Sequence, residues 1–147
     1  MEAVGATSMA HLLLIDQDPT YVERLRPALV GPPTVAVTRE VGLEAAVARL
    51  DQDRFDLILL DLPTASVGSV RDVFERHPSW QRPPIIGLSC EINDRLAADA
   101  LEAGALDCLS KTDSDLRLVV RILRSAIEVH RLKREPWPTA ERFQRLI

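Results

Sequence analysis

Cysteine is scarce in this sequence. Cys90 and Cys108 are the whole complement in 147 residues, too few for a disulfide framework and without metal-site spacing. Their plain reading is as small buried hydrophobes. Long apolar runs are missing too. None approaches the roughly 20 residues that span a bilayer, and no basic start precedes an apolar core at the N-terminus. No membrane association is expected, and the chain reads as cytoplasmic. There is no excess of positive charge either. The net charge is −4, which leaves no electrostatic footprint for direct nucleic-acid binding. Finally, no glycine-rich anion loop follows any apolar segment, so a free phosphate at rest has no cradle.

What is present is length enough for one domain with a sizeable core. Residues 1–9 read as a tail, 10–134 as the domain and 135–147 as a tail or the start of a linker. The central stretch is Phe55-Asp56-Leu57-Ile58-Leu59-Leu60-Asp61. An unbroken apolar run reads as a strand buried on both faces of a parallel sheet. Similar runs occur at 11–15 and 84–89, with a β-branched strand at 34–38 and a weaker one at 105–110. Helical patterns alternate with them. The first follows Asp18 as N-cap and Pro19, with Pro27 an awkward guest. Others cover 43–50, 67–76, 94–103 (capped by Asn93 and stopped by Gly104) and 113–134 (capped by Asp113 or Ser114). Strand–helix five times over argues an α/β fold. It predicts a doubly wound, five-stranded parallel sheet with helices on both faces.

Ligands of such sheets bind at the carboxyl ends of the strands. Four polar groups fall there: Asp16, Asp61, Ser89 and Lys111. Two neighbouring carboxylates need a cation between them. Oxygen-only ligands suit Mg²⁺, and a lysine can pair with a carboxylate or a phosphoryl oxygen. Together these groups can stabilise in-line transfer of a phosphoryl group to an aspartate oxygen.

Across residues 10–130 the chain resembles the receiver domains of two-component response regulators. The matching pieces are Leu-Leu-Ile-Asp16-Gln17-Asp18-Pro, Phe-Asp-Leu-Ile-Leu-Leu-Asp61, Pro-Ile-Ile-Gly-Leu-Ser89 and Ala103-Gly104-Ala105-Leu-Asp107-Cys-Leu-Ser-Lys111. Each alone is weak; four in order, each at a strand end, are strong. The resemblance implies a flavodoxin-like strand order, 2-1-3-4-5. It implies that Asp61 is the phosphoacceptor, that Asp16 helps hold Mg²⁺ and that Ser89 meets the phosphoryl group on switching. Lys111 would pair with Asp61 and then with its phosphate. The donor would be a phosphohistidine on a sensor histidine kinase or phosphotransfer protein. The domain would be regulatory rather than an enzyme.

The departures are specific. The second acid after the first strand is Gln17, which can coordinate but carries no charge, so Mg²⁺ binding is expected to be weak. Asp18 comes one position late and caps the helix. Pro63 follows Asp61 by two residues, where its backbone carbonyl would serve the metal. The family's switch aromatic aligns with Cys108. Lys111 precedes Thr112 instead of proline, and a cis bond there would cost about 3 kcal/mol, so trans is expected.

The last helix would be about 33 Å long at about 1.5 Å per residue. It carries more apolar residues than one sheet face can cover: Leu116, Val119, Leu123 and Ile127 on one line, Leu118, Ile122 and Val129 near another. A homodimer through this helix is expected, with Arg117, Arg121 and Arg124 meeting Asp94, Asp99 or Glu102 across it. Two other readings stay open. One is a receiver-like interaction or dimerisation module that never uses phosphate, favoured by Gln17, the short loop and Cys108. The other is a flavodoxin-like cofactor binder, disfavoured because Asp16 and Asp18 stand where a phosphate cradle is needed.

Overall fold

The structure, a computed structural model, describes residues 9–62, 70–71, 75, 82–91, 93–112 and 115–134. In chain order the elements are β1 (Ala10–Ile15), α1 (Thr20–Ala28), β2 (Val35–Glu40), α2 (Leu43–Gln52), β3 (Leu57–Asp61), β4 (Ile85–Ser89), α3 (Asp94–Glu102), β5 (Asp107–Ser110) and α4 (Leu116–Arg134). Of the helix expected at 67–76, Val70, Arg71 and Glu75 are helical; the remainder lies outside the described residues.

The strands form one parallel sheet in the order β2-β1-β3-β4-β5. Successive side chains on a strand point to opposite faces, and here both faces are dry. Leu12, Leu14, Leu57, Leu59, Ile86 and Leu88 pack with α1 and α4. Leu13, Ile15, Ile58, Leu60 and Ile85 pack against Ala46 and Val47 of α2 and Ala100 of α3. That is why β1 and β3 read as unbroken apolar runs rather than alternating ones. The chain leaves β1 outward to β2 and then returns past it to β3. The carboxyl ends of β1 and β3 therefore flank the switch point where a doubly wound sheet opens a crevice.

Element boundaries differ from the sequence pattern for local reasons. β2 runs on to Glu40 because Leu14 pairs with Arg39 and Ile15 with Glu40, and an edge strand tolerates polar side chains. β5 starts late, at Asp107. The N–H groups of Gly104 and Ala105 are still bonded to the carbonyls of Leu101 and Ala100, closing α3, with Gly104 at φ 114°, as a helix stop requires. In β3, Phe55 and Asp56 precede the strand. α1 ends at Ala28, with Pro27 in its last turn. Its cap residue is Pro19, and Asp18 lies one position before it, its Oδ1 accepting from the Thr20 N–H and hydroxyl. α4 is capped by Asp115, whose Oδ1 accepts from the Arg117 N–H at 3.1 Å; Asp113 and Ser114 lie outside the described residues. Among the described residues, no helix is long and apolar enough to cross a membrane. The cis bond found there is Pro32–Pro33, so Lys111–Thr112 is trans.

Candidate functional site

Asp16 is the residue after β1, and Asp61 is the last residue of β3. Because Ile15 pairs with Leu60, the two acids leave the sheet side by side. On the other flank of β3, Ser89 ends β4 opposite Ser110 of β5, and the Lys111 N–H bonds the Ser89 carbonyl at 2.9 Å. Four residues scattered over the sequence thus share one edge because parallel register carries them there.

The lysine joins the acids. Lys111 Nζ donates to Asp16 Oδ2 at 2.6 Å and stands 2.8 Å from Asp61 Oδ1. All three side chains are buried or nearly so, with exposures of 1% for Asp16, 6% for Asp61 and 10% for Lys111. Burial alone would push the ammonium down. Its hydrogen bonds to Asp16 and Asp61, with their charges, outweigh that and hold Lys111 above its ordinary value, so it stays an ammonium. The Asp16 carboxylate also accepts from the Asp18 N–H at 3.0 Å through Oδ1. Asp18 itself is held below the usual carboxylate range, chiefly by the bonds from Thr20.

Ser89 is buried, but its hydroxyl donates to the Glu91 carbonyl at 3.0 Å and accepts from the Glu91 N–H at 3.3 Å. It is at the edge, engaged by its own turn. Gln17 is exposed beside Asp16. Pro63 lies outside the described residues. Cys108 is half-buried against Gly87 and the core, and burial raises its thiol, which fits a packing role. Cys90 is exposed, contrary to its expected burial, because it sits past the end of β4.

Two neighbours of the site escaped the sequence reading. Tyr21 is a core residue of α1, and its buried ring lies 5.5 Å from Lys111 Nζ, close enough for a cation–π contact. Arg39 lay beyond the expected end of β2. Its Nε donates to the Asp16 carbonyl at 3.0 Å and its Nη2 to the Gln17 carbonyl at 2.7 Å. The sequence carries no local sign of either contact, since both depend on residues brought together by the sheet.

A hard divalent ion needs several oxygen donors. Asp16 and Asp61 suit it, since a single cationic group already touches both. The third acid is missing, and among the described residues no group of three His, Cys, Asp or Glu side chains gathers to hold a metal. The residues present therefore fit a magnesium ion through two charged donors rather than three.

Comparison with known proteins bears on the whole arrangement. A family model described as the response regulator receiver domain matches residues 12–123. No curated protein matches the sequence. Among solved structures, a response regulator from Thermotoga maritima aligns with a TM-score of 0.71 at 18% identity, covering 82% of this chain and 98% of that one. An orphan response regulator of H. pylori aligns at 0.69 and 18%, covering 80% and 96%. A response regulator receiver domain protein from Methanospirillum hungatei JF-1 aligns at 0.70 and 13%, covering 85% and 98%. At these identities the structures share the fold; the family model matches the sequence itself over residues 12–123. The chain belongs to the response regulator receiver domain family.

Proposed function

We propose that this domain is a phosphoacceptor receiver in which Asp61 takes a phosphoryl group from a phosphohistidine of a sensor kinase or phosphotransfer protein. The observation that carries the reading is the buried ammonium of Lys111 held between Asp16 and Asp61. An Asp61 oxygen attacks phosphorus in line, and the bond to the donor histidine breaks. Lys111, already charged, turns from the carboxylate to a phosphoryl oxygen. Ser89 releases the Glu91 carbonyl and donates its hydroxyl to the new phosphoryl group, which draws β4 and its following turn toward the site. A bound Mg²⁺, held weakly by Asp16 and Asp61 with Gln17 and the Pro63 carbonyl, would neutralise charge on the phosphoryl oxygens. The domain acts as a cytoplasmic regulatory switch spanning 10–134.

The output surface proposed is a homodimer face on α4. Leu106, Leu118 and Val129 are 55%, 47% and 50% exposed, and they line a groove of about 480 Å³ together with Ile122 and Arg121. Arg117 and Arg121 are exposed and suit register across a two-fold contact. Arg124 does not: its Nη2 is committed to the carbonyls of Leu29, Val30 and Gly31.

A phosphorylation-independent interaction module is the second reading. It is favoured by Lys111, which already bridges the acids in the resting fold, and by Gln17. Borohydride reduction of the protein after treatment with acetyl phosphate and Mg²⁺, followed by peptide mapping, separates the two. Homoserine at position 61 supports the acceptor; unmodified Asp61 after every donor supports the module.

A further inference from the structure

The charge balance of the pocket points to a role for Arg39. Asp16 and Asp61 contribute two negative charges, and Lys111 returns one positive charge. Gln17 adds none. On the opposite side of Asp16, the Arg39 guanidinium grips the backbone carbonyls of Asp16 and Gln17 at 3.0 and 2.7 Å. These are the two residues at which a second acid and a metal ligand would be looked for. The nearby Glu40 does not cancel it, because Glu40 is paired with Arg49 at 2.9 Å. Asp18 adds a third carboxylate beside these, its N–H on Asp16 Oδ1 at 3.0 Å and its own Oδ1 accepting from Thr20. Three carboxylates thus stand against two fixed cations, and the cluster carries one formal negative charge. With a further acid at position 17 and no guanidinium at 39, the same cluster would carry three net negative charges and draw a divalent ion more strongly.

We propose that Arg39 is a resident cation of the pocket. With Lys111 it offsets most of the negative charge of Asp16, Asp18 and Asp61, so that the pocket is assembled by itself and draws a divalent ion only weakly. Arg39 is a positioning residue: it acts on the pocket through the backbone of Asp16 and Gln17 and through its charge. The inference rests on reading the Asp61 pocket as the phosphoacceptor site.

The test is a Mg²⁺ titration of the intact protein without any phosphodonor, followed by amide chemical shifts. A unit charge several ångströms from a divalent ion in a water-like dielectric is worth about tenfold in affinity. Arg39→Gln, which keeps donors for the two carbonyls but loses the charge, is expected to bind Mg²⁺ about tenfold more tightly than wild type. Arg39→Lys is expected to stay at the wild-type affinity. Wild-type affinity in a folded Arg39→Gln, or the same tightening in Arg39→Lys, overturns the proposal. Should Arg39→Gln not fold, Gln17→Asp in the Arg39→Lys background provides the second arm. Its affinity should rise through the added acid but remain about tenfold below that of Gln17→Asp, Arg39→Ala; equality of the two overturns the proposal. Asp61→Asn separates this from failure of the underlying reading. If Mg²⁺ shifts the same amides with the same affinity in Asp61→Asn, the ion does not bind at this pocket, and the phosphoacceptor reading falls with it.

Discussion

Lys111 and Asp16 meet at 2.6 Å across 95 residues of sequence. The contact ties the last strand to the first over the mouth of the sheet. Removing the cation while leaving its partners is costly, because two buried carboxylates then face each other. Lys111→Met is expected to lose about 3 kcal/mol of stability, measured by urea unfolding. Added Mg²⁺ should restore part of it, since a divalent ion can replace the ammonium between Asp16 and Asp61. No rescue at tens of millimolar would argue that the acids do not form a metal site once the lysine is gone.

The same lysine sets an alkaline limit. Its value in the folded state is raised, so the stability it contributes is fully present below the ordinary lysine value and is lost as pH rises through the folded one. The buried phenol of Tyr21 is raised chiefly by desolvation and acts with the same sign. Stability should therefore decline above about pH 10. The decline should be shallower in Lys111→Met and in Tyr21→Phe. Urea midpoints between neutral pH and pH 11 measure it; identical slopes in all three proteins would remove both groups from the account.

Gln17→Asp should tighten Mg²⁺ binding, because a third carboxylate raises the attraction for a hard cation. Calorimetric titration of wild type and variant checks this. Equal affinities would mean that the side chain at position 17 does not face the ion.

The α4 face predicts self-association. Leu118→Glu places a charge in the exposed groove without touching the buried line of Val119, Leu123 and Ile127. It is a cleaner probe than Ile122, which is half-buried against the core. Sedimentation at tens of micromolar should show wild type as a dimer and Leu118→Glu as a monomer. A monomeric wild type, with and without phosphodonor, would leave the helix as a connector.

The sheet was legible because burial on both faces leaves an unmistakable trace: Leu12 to Ile15 and Leu57 to Leu60 are apolar at every position. The acids and the lysine were legible because each breaks such a run, or follows one, at its carboxyl end. The rest was hidden by geometry that is not local. Arg39 lay past the expected end of β2; pairing with Leu14 keeps it in the strand and brings it to Asp16. Tyr21 looked like one more core residue, since its second role depends on a lysine far along the chain. Asp115 caps α4 through the Arg117 N–H, while Asp113 and Ser114, the caps the sequence suggested, lie outside the described residues. Arg124 read as a contact across a homodimer, but its Nη2 is taken up by the carbonyls of Leu29, Val30 and Gly31 just past α1.

Intact-mass measurement after incubation with acetyl phosphate and Mg²⁺ tests the central reading most directly. Wild type is expected to gain the mass of one phosphoryl group, and Asp61→Asn, which keeps the shape but lacks the nucleophilic oxygen, to gain none. An adduct of equal yield on Asp61→Asn, or no adduct on wild type with acetyl phosphate or any phosphohistidine donor, would contradict it.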